Sequence, residues 1–164
     1  MISKNEQKLY NILNLLGIRY VRHEHKPIYT VSEAQELNIS IKGGKCKNLF
    51  LRNGKGDIHY LLILDENKRA DLKQLAKQIG TTRLSFASED RLYKYLELTP
   101  GSVTPFGIIN DVNREVIVLI DKDITNKDLV NFHPNVNTAT IGLSYINFEK
   151  FIKWHENKFY YVQI

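Results

Sequence analysis

Cys46-Lys47-Asn48-Leu49-Phe50-Leu51-Arg52, then Asn53-Gly54-Lys55-Gly56-Asp57, then Ile58-His59-Tyr60-Leu61-Leu62-Ile63-Leu64 is the stretch that decides the fold. Two apolar runs flank a polar, glycine-bearing segment, and the Asn53-Gly54 step predicts a β-hairpin. Alternation along the first strand puts Lys47, Leu49 and Leu51 on one face and Asn48 and Phe50 on the other. A lysine in line with leucines on a buried face is costly unless it has a task or a partner.

Upstream, Ser3 to Leu16 reads as an amphipathic helix stopped by Gly17, with Ile18 to Val21 a short strand after it. Thr30-Val31-Ser32-Glu33 is a capping box opening a helix to about Leu37. Downstream, Ala70 to Ile79 and Ser88 to Leu96 have helical periodicity, the second N-capped by Ser88. Thr99 to Pro105 holds two prolines and a glycine and is a shaped loop. Phe106 to Ile109 and Val116 to Ile120 are predicted strands around a turn at Asp111-Val112-Asn113. Asn126 to Phe132 is predicted as a short helix and Asn137 to Leu143 as a strand. A last helix is capped by Asn147, and Phe159 to Ile164 forms a terminal strand. Strands in adjacent pairs interspersed with helices predict an α/β fold with a mixed, largely antiparallel sheet and surrounding helices, in one domain over residues 1–164.

The 164 residues can bury a core without disulfides, and 43% hydrophobic with 25% charged residues argues against disorder. A single cysteine, Cys46, excludes an internal disulfide and fits a reducing cytoplasm. There is no signal-peptide pattern and no apolar run near the ~20 residues that cross a bilayer, so no membrane partner is expected. The net charge of +5 points to an anionic partner. Lys42, Lys45, Lys47 and Arg52 fall close together with no acid among them, a local basic patch.

The catalytic patterns are sparse. Cys46 between two lysines is a small semi-buried strand residue before it is a nucleophile. Gly-x-Ser-x-Gly and Walker spacings are absent, and His23 and His25 have no matching ligand cluster. Nothing calls for a metal or other cofactor. Three local constellations remain. They are the Lys47-Asn48 strand, the Gly101-Ser102-Val103-Thr104-Pro105 loop, and His133-Pro134 leading to Asn137-Thr138-Ala139-Thr140. Glycine lets backbone approach a ligand, prolines stiffen the frame, and exposed amides there would suit a carbonyl oxygen.

In this order the three constellations resemble the aminoacyl-tRNA deacylase family that includes YbaK and the inserted editing domain of bacterial prolyl-tRNA synthetase. Lys47-Asn48-Leu49-Phe50-Leu51, Gly101 to Gly107 and Asn131 to Thr140 are most similar to the free-standing branch called ProXp-ala or PrdX. The likeness runs from about residue 5 to 155. It implies hydrolysis of the ester joining an amino acid to mischarged tRNA(Pro), most closely alanine, with transient contact to prolyl-tRNA synthetase. By resemblance, Lys47, Gly101 and His133 are catalytic. Asn48, Ser102, Val103, Thr104, Pro105, Asn137 and Thr138 bind substrate, and Lys42, Lys45 and Arg52 meet tRNA phosphates. Lys45-Cys46 stands where a less basic residue and a small hydroxyl residue are expected, and Ile141-Gly142-Leu143-Ser144 replaces a more polar run. Two alternatives stay open: a noncatalytic adaptor for tRNA or a synthetase, and a deacylase for cysteine or serine esters.

Overall fold

The computed structural model describes residues 2–164, with backbone alone at positions 31 and 37–40. Helix α1 (Lys4–Leu15) starts on Ser3, whose Oγ accepts the Glu6 N–H at 3.2 Å. At its end Gly17 takes a left-handed φ of 69°, Gly17 N–H donates to Asn14 O, and Ile18 N–H donates to Leu13 O. That closing motif uses Ile18 as a buried apolar plug, so strand β1 (Val21–Glu24) begins three residues later than periodicity predicts. Buried Glu6 binds Arg22 Nε at 2.7 Å and the Tyr10 hydroxyl, tying α1 to β1.

Helix α2 (Val31–Ser40) runs three residues past the expected end, opened by Thr30 Oγ1 accepting from Glu33 N–H. Strands β2 (Gly44–Arg52) and β3 (His59–Asp65) form the expected antiparallel hairpin, from Arg52↔His59 to Cys46↔Asp65. The connection is not an Asn-Gly turn. Asn53 is buried and its Oδ1 accepts the N–H groups of Gly56, Asp57 and Ile58, while the left-handed residue is Gly56 (φ 73°). A single side chain replaces the missing backbone partners of a wider loop.

Helix α3 (Leu72–Ile79) is followed by β4 (Ser85–Phe86) and α4 (Glu89–Leu96). The expected strand at Phe106–Ile109 is instead a 3-10 helix over Pro105–Asn110. Pro105 sits at its first position, Thr104 caps the Phe106 N–H, and the run is apolar because every side is buried. Strand β5 (Val116–Asp121) is as read. The expected helix at Asn126–Phe132 is strand β6 (Leu129–Phe132): Val130 and Phe132 are buried, while Leu129 is exposed and Asn131 half-exposed, a period of two. Strand β7 (Ala139–Ser144) leads into α5 (Tyr145–His155), capped by Ser144 and not Asn147, because Ser144 Oγ accepts the Asn147 N–H. Strand β8 (Phe159–Val162) ends the sheet.

The sheet order is β1-β7-β6-β2-β3-β5-β8, with β4 added to β2. Pairs β1-β7, β7-β6, β2-β3 and β2-β4 are antiparallel, and β2-β6, β3-β5 and β5-β8 parallel. Phe50, Leu61, Ile63, Val118 and Phe132 pack on one face against α1, α4, α5 and the 3-10 helix. Leu51, Leu62, Leu64 and Leu119 pack on the other against Leu75 and Ala76 of α3. Burial on both faces explains why β3 and β5 read as continuous apolar runs.

One irregularity positions the site. The β2 edge away from β3 holds β6 only through Gly44 and Lys45, then holds β4 through Leu51 and Arg52. Between these pairings the sheet is split, and the split carries Lys47 and Asn48.

Candidate functional site

A cavity of about 90 Å³ occupies this split. Strand β2 contributes Lys45, Cys46 and Asn48, β6 and its end contribute Asn131, Phe132 and His133, and β7 contributes Thr140. Ile28 and Ile41, on either side of α2, close it from outside, with Glu66 at the end of the hairpin. A larger surface depression, lined by Ile18, Tyr20, Leu129 and Leu143, carries no residue of the three sequence constellations, whereas this cavity takes Asn48 from the first and His133 and Thr140 from the third.

Strand parity explains which side chains meet. Lys45 faces Asn131 across the parallel pairing, so two residues further along both strands Lys47 and His133 share one face of the sheet. Phe132↔Ile141 places Thr140 beside His133 on that face. Lys47 itself lies opposite Leu64, is half-buried, has no ion pair among the described residues, and does not line the cavity wall. Asn48 points the other way. Its Nδ2 donates to Val103 O at 3.2 Å, and its Oδ1 is buried with no partner among the described residues. A buried acceptor left empty costs about 1–3 kcal/mol, which marks it as a group awaiting a donor.

His133 Nδ1 lies 2.9 Å from Ala139 O. A carbonyl only accepts, so Nδ1 carries the proton and Nε2 the lone pair. Burial, with His25 nearby, holds the imidazole below its ordinary range and keeps it neutral. Burial likewise pushes the Cys46 thiol up to about 12, so it stays protonated at neutral pH. Cys46 therefore borders the cavity as a small neutral group and not as a thiolate.

The loop residues frame the cavity from behind. Gly101 and Ser102 through Pro105 do not line it. Ser102 and Thr104 are buried; the Ser102 N–H and hydroxyl bond Thr99, and Val103 O receives Asn48. A Cβ on Gly101 would stand 2.9 Å from Asn137 Nδ2. Asn137 in turn holds both backbone groups of Ile28, donating to its O at 3.1 Å and accepting its N–H at 3.4 Å. Thr138 O accepts the His25 N–H. The glycine thus leaves room for the bracket that seats a wall residue.

The basic patch does not survive folding as one unit. Lys42 is exposed and Lys45 lines the cavity, but Arg52 sits at the far end of β2, seven residues or roughly 23 Å away. There it bonds Asn53 O and Gly54 O. Among lining residues to which the sequence reading gave no role is Thr140, and behind it stands His25, whose Nε2 lies 2.9 Å from Thr140 Oγ1. The parity of the histidine segment points to Thr140. Nothing local in sequence links His25 to a residue 115 positions away.

The family model described as aminoacyl-tRNA editing domain matches residues 25–151. The chain is 47% identical over 152 residues to the prolyl-tRNA editing protein ProX of Acetoanaerobium sticklandii, covering 93% of each chain. It is 33% identical over 145 residues to prolyl-tRNA synthetase associated domain-containing protein 1 of Bos taurus, covering 86% of this chain and 84% of that one. The crystal structure of a candidate trans-editing enzyme for prolyl tRNA synthetase superposes with a TM-score of 0.72 at 16% identity, covering 100% of this chain and 99% of that one, a likeness of fold. The match of the family model across the cavity-forming residues and the near full-length identity to ProX place this chain in the aminoacyl-tRNA editing domain family.

Proposed function

We propose that this chain hydrolyses the ester of mischarged tRNA(Pro) and that its preferred substrate carries alanine. The observation that carries the reading is the cavity of about 90 Å³ in the β2/β6 split, bordered by Asn48, His133 and Thr140. That volume equals roughly three waters, room for a handful of non-hydrogen atoms. A space this small suits an alanyl group and favours it over the bulkier proline ring, since added bulk is discriminated against better than the loss of a methylene. Serine and cysteine each exceed alanine by one heavy atom, so their esters are the competitors to test.

An aminoacyl ester is already activated, and no protein nucleophile is needed; the protonated Cys46 fits that economy. Water oxygen bonds the carbonyl carbon, the bond to the ribose oxygen breaks, and the ribose oxygen leaves with a proton. His133 Nε2 accepts a hydrogen bond from the water or the ribose hydroxyl. Lys47, on the same face as His133 and unpaired among the described residues, supplies positive charge beside the developing oxyanion or the terminal phosphate. Gly101 acts through the Asn137 bracket on Ile28. Lys42 and Lys45 at the mouth meet acceptor-end phosphates, and Arg52 does not. No described helix is long and apolar enough to cross a membrane, and action on tRNA in the cytoplasm follows from this reading.

The test is deacylation of alanyl-, cysteinyl- and seryl-tRNA(Pro) by wild type, Lys47→Ala and Arg52→Ala. The reading expects fast loss of the alanyl ester, a drop of 10²-fold or more with Lys47→Ala, and little change with Arg52→Ala. Retained tRNA binding without turnover of any ester would leave an adaptor.

A further inference from the structure

Four side chains at the cavity have donor and acceptor roles fixed by their partners. His25 Nδ1 lies 2.8 Å from Lys26 O, which only accepts, so Nδ1 carries the proton. In the neutral ring Nε2 then holds a lone pair, and the Thr140 hydroxyl, 2.9 Å away, donates to it. The Thr140 proton is spent on His25, and Oγ1 offers the cavity lone pairs only. His133 is fixed in the same sense by Ala139 O, with Nε2 an acceptor. Asn48 gives one Nδ2 hydrogen to Val103 O and keeps a buried Oδ1 with no partner among the described residues. Thr140 Oγ1, His133 Nε2 and Asn48 Oδ1 are therefore acceptors, and the Glu66 carboxylate on the same lining adds another.

We infer that His25 is a positioning residue that orients the Thr140 hydroxyl as an acceptor, so that Thr140 and Asn48 Oδ1 bind the α-ammonium of the aminoacyl ester. This rests on the deacylase reading above. An α-ammonium brings three N–H donors and a positive charge, the complement of the Thr140 Oγ1 and Asn48 Oδ1 lone pairs. These two acceptors penalise an ester whose α-substituent has fewer hydrogens to give, because they then stay empty. His25 lies behind Thr140 as seen from the cavity, which it does not itself line. It therefore acts through the hydroxyl.

The test compares alanyl-tRNA(Pro) with lactyl-tRNA(Pro), its α-hydroxy counterpart, in single-turnover deacylation. Wild type is expected to prefer the alanyl ester by about 10-fold or more. His25→Ala and Thr140→Val should collapse that preference to within about 2-fold by slowing the alanyl ester alone. His25→Gln, whose side-chain oxygen still accepts from Thr140, should restore most of it. A thermal melt identifies any variant that has unfolded, and Thr140→Ser, which keeps the hydroxyl, serves as the folded control expected to retain the preference. Equal slowing of both esters in His25→Ala would show a merely structural role and overturn the inference, as would an unchanged preference in folded Thr140→Val. Failure of wild type to cleave either ester would remove the deacylase reading itself. Cleavage of both esters at equal rates would remove only the ammonium assignment.

Discussion

Gly101→Ala puts a methyl 2.9 Å from Asn137 Nδ2, where ordinary contact begins at about 3.4 Å. Gly101 is not in the left-handed region, so the substitution carries no backbone penalty and the whole effect passes through Asn137. Asn137 must retreat by roughly half an ångström, which stretches its bonds of 3.1 and 3.4 Å to Ile28 beyond useful length. Two modest hydrogen bonds are worth about 1–2 kcal/mol together, a fall in melting temperature of roughly 2–8 °C for a chain of this size. Ile28 lines the cavity, so deacylation of alanyl-tRNA(Pro) should fall as well. The assay is a double-mutant cycle with Asn137→Ala, read by thermal melts and by single-turnover rates. Once Asn137 is truncated the new methyl has nothing to displace, so the pair should couple by about 1 kcal/mol. Additive losses, or an unchanged melt for Gly101→Ala alone, would show that the glycine does not act through this bracket.

Further outcomes follow from other contacts. His59 is buried, its Nε2 accepts from Arg91 Nη1 at 3.0 Å, and its pKa is held near 4 by burial first and the Arg91 charge second. Its folded pKa is depressed, so the unfolded chain takes up the proton first: stability is intact above about 6.5 and falls by roughly 2–3 kcal/mol between pH 6.5 and 4. His59→Gln should flatten that part of a denaturation-versus-pH curve. Arg22→Ala leaves the Glu6 carboxylate buried beside Tyr10 without its cation and should cost about 3–5 kcal/mol by urea denaturation. Cys46→Ser should keep deacylation within a few-fold of wild type, and Cys46 should resist alkylation at pH 7 in the folded protein.

Much of the frame is legible in sequence because local signals and tertiary needs agree. The Gly17 stop, the Ser88 and Thr30-to-Glu33 caps and the β2-β3 hairpin are such cases. The two exchanges of element type occur where an apolar run is compatible with two periods. Phe106–Ile109 is buried on all sides and so carries no alternation to read. Leu129–Phe132 is too short for its period of two to outweigh helix-like neighbours. The site is legible only in part. Asn48, His133 and Lys47 stand out by type and alternation, but the β2/β6 split that joins them is a fact of long-range pairing. The 99–105 loop is recognisable by its prolines, yet its contacts to Asn48 and toward Asn137 show it supporting the wall from behind. Arg52 looks near Lys45 in sequence and is carried to the opposite end of an extended strand, since seven residues of β2 span most of the domain.

The most direct measurement of the central claim is the wild-type deacylation rate of alanyl-tRNA(Pro) set against that of correctly charged prolyl-tRNA(Pro). A cavity of about 90 Å³ in the strand split predicts rapid loss of the alanyl ester and a prolyl ester that decays no faster than without protein. Equal cleavage of both, or an alanyl ester left intact at protein concentrations that bind the tRNA, would contradict it.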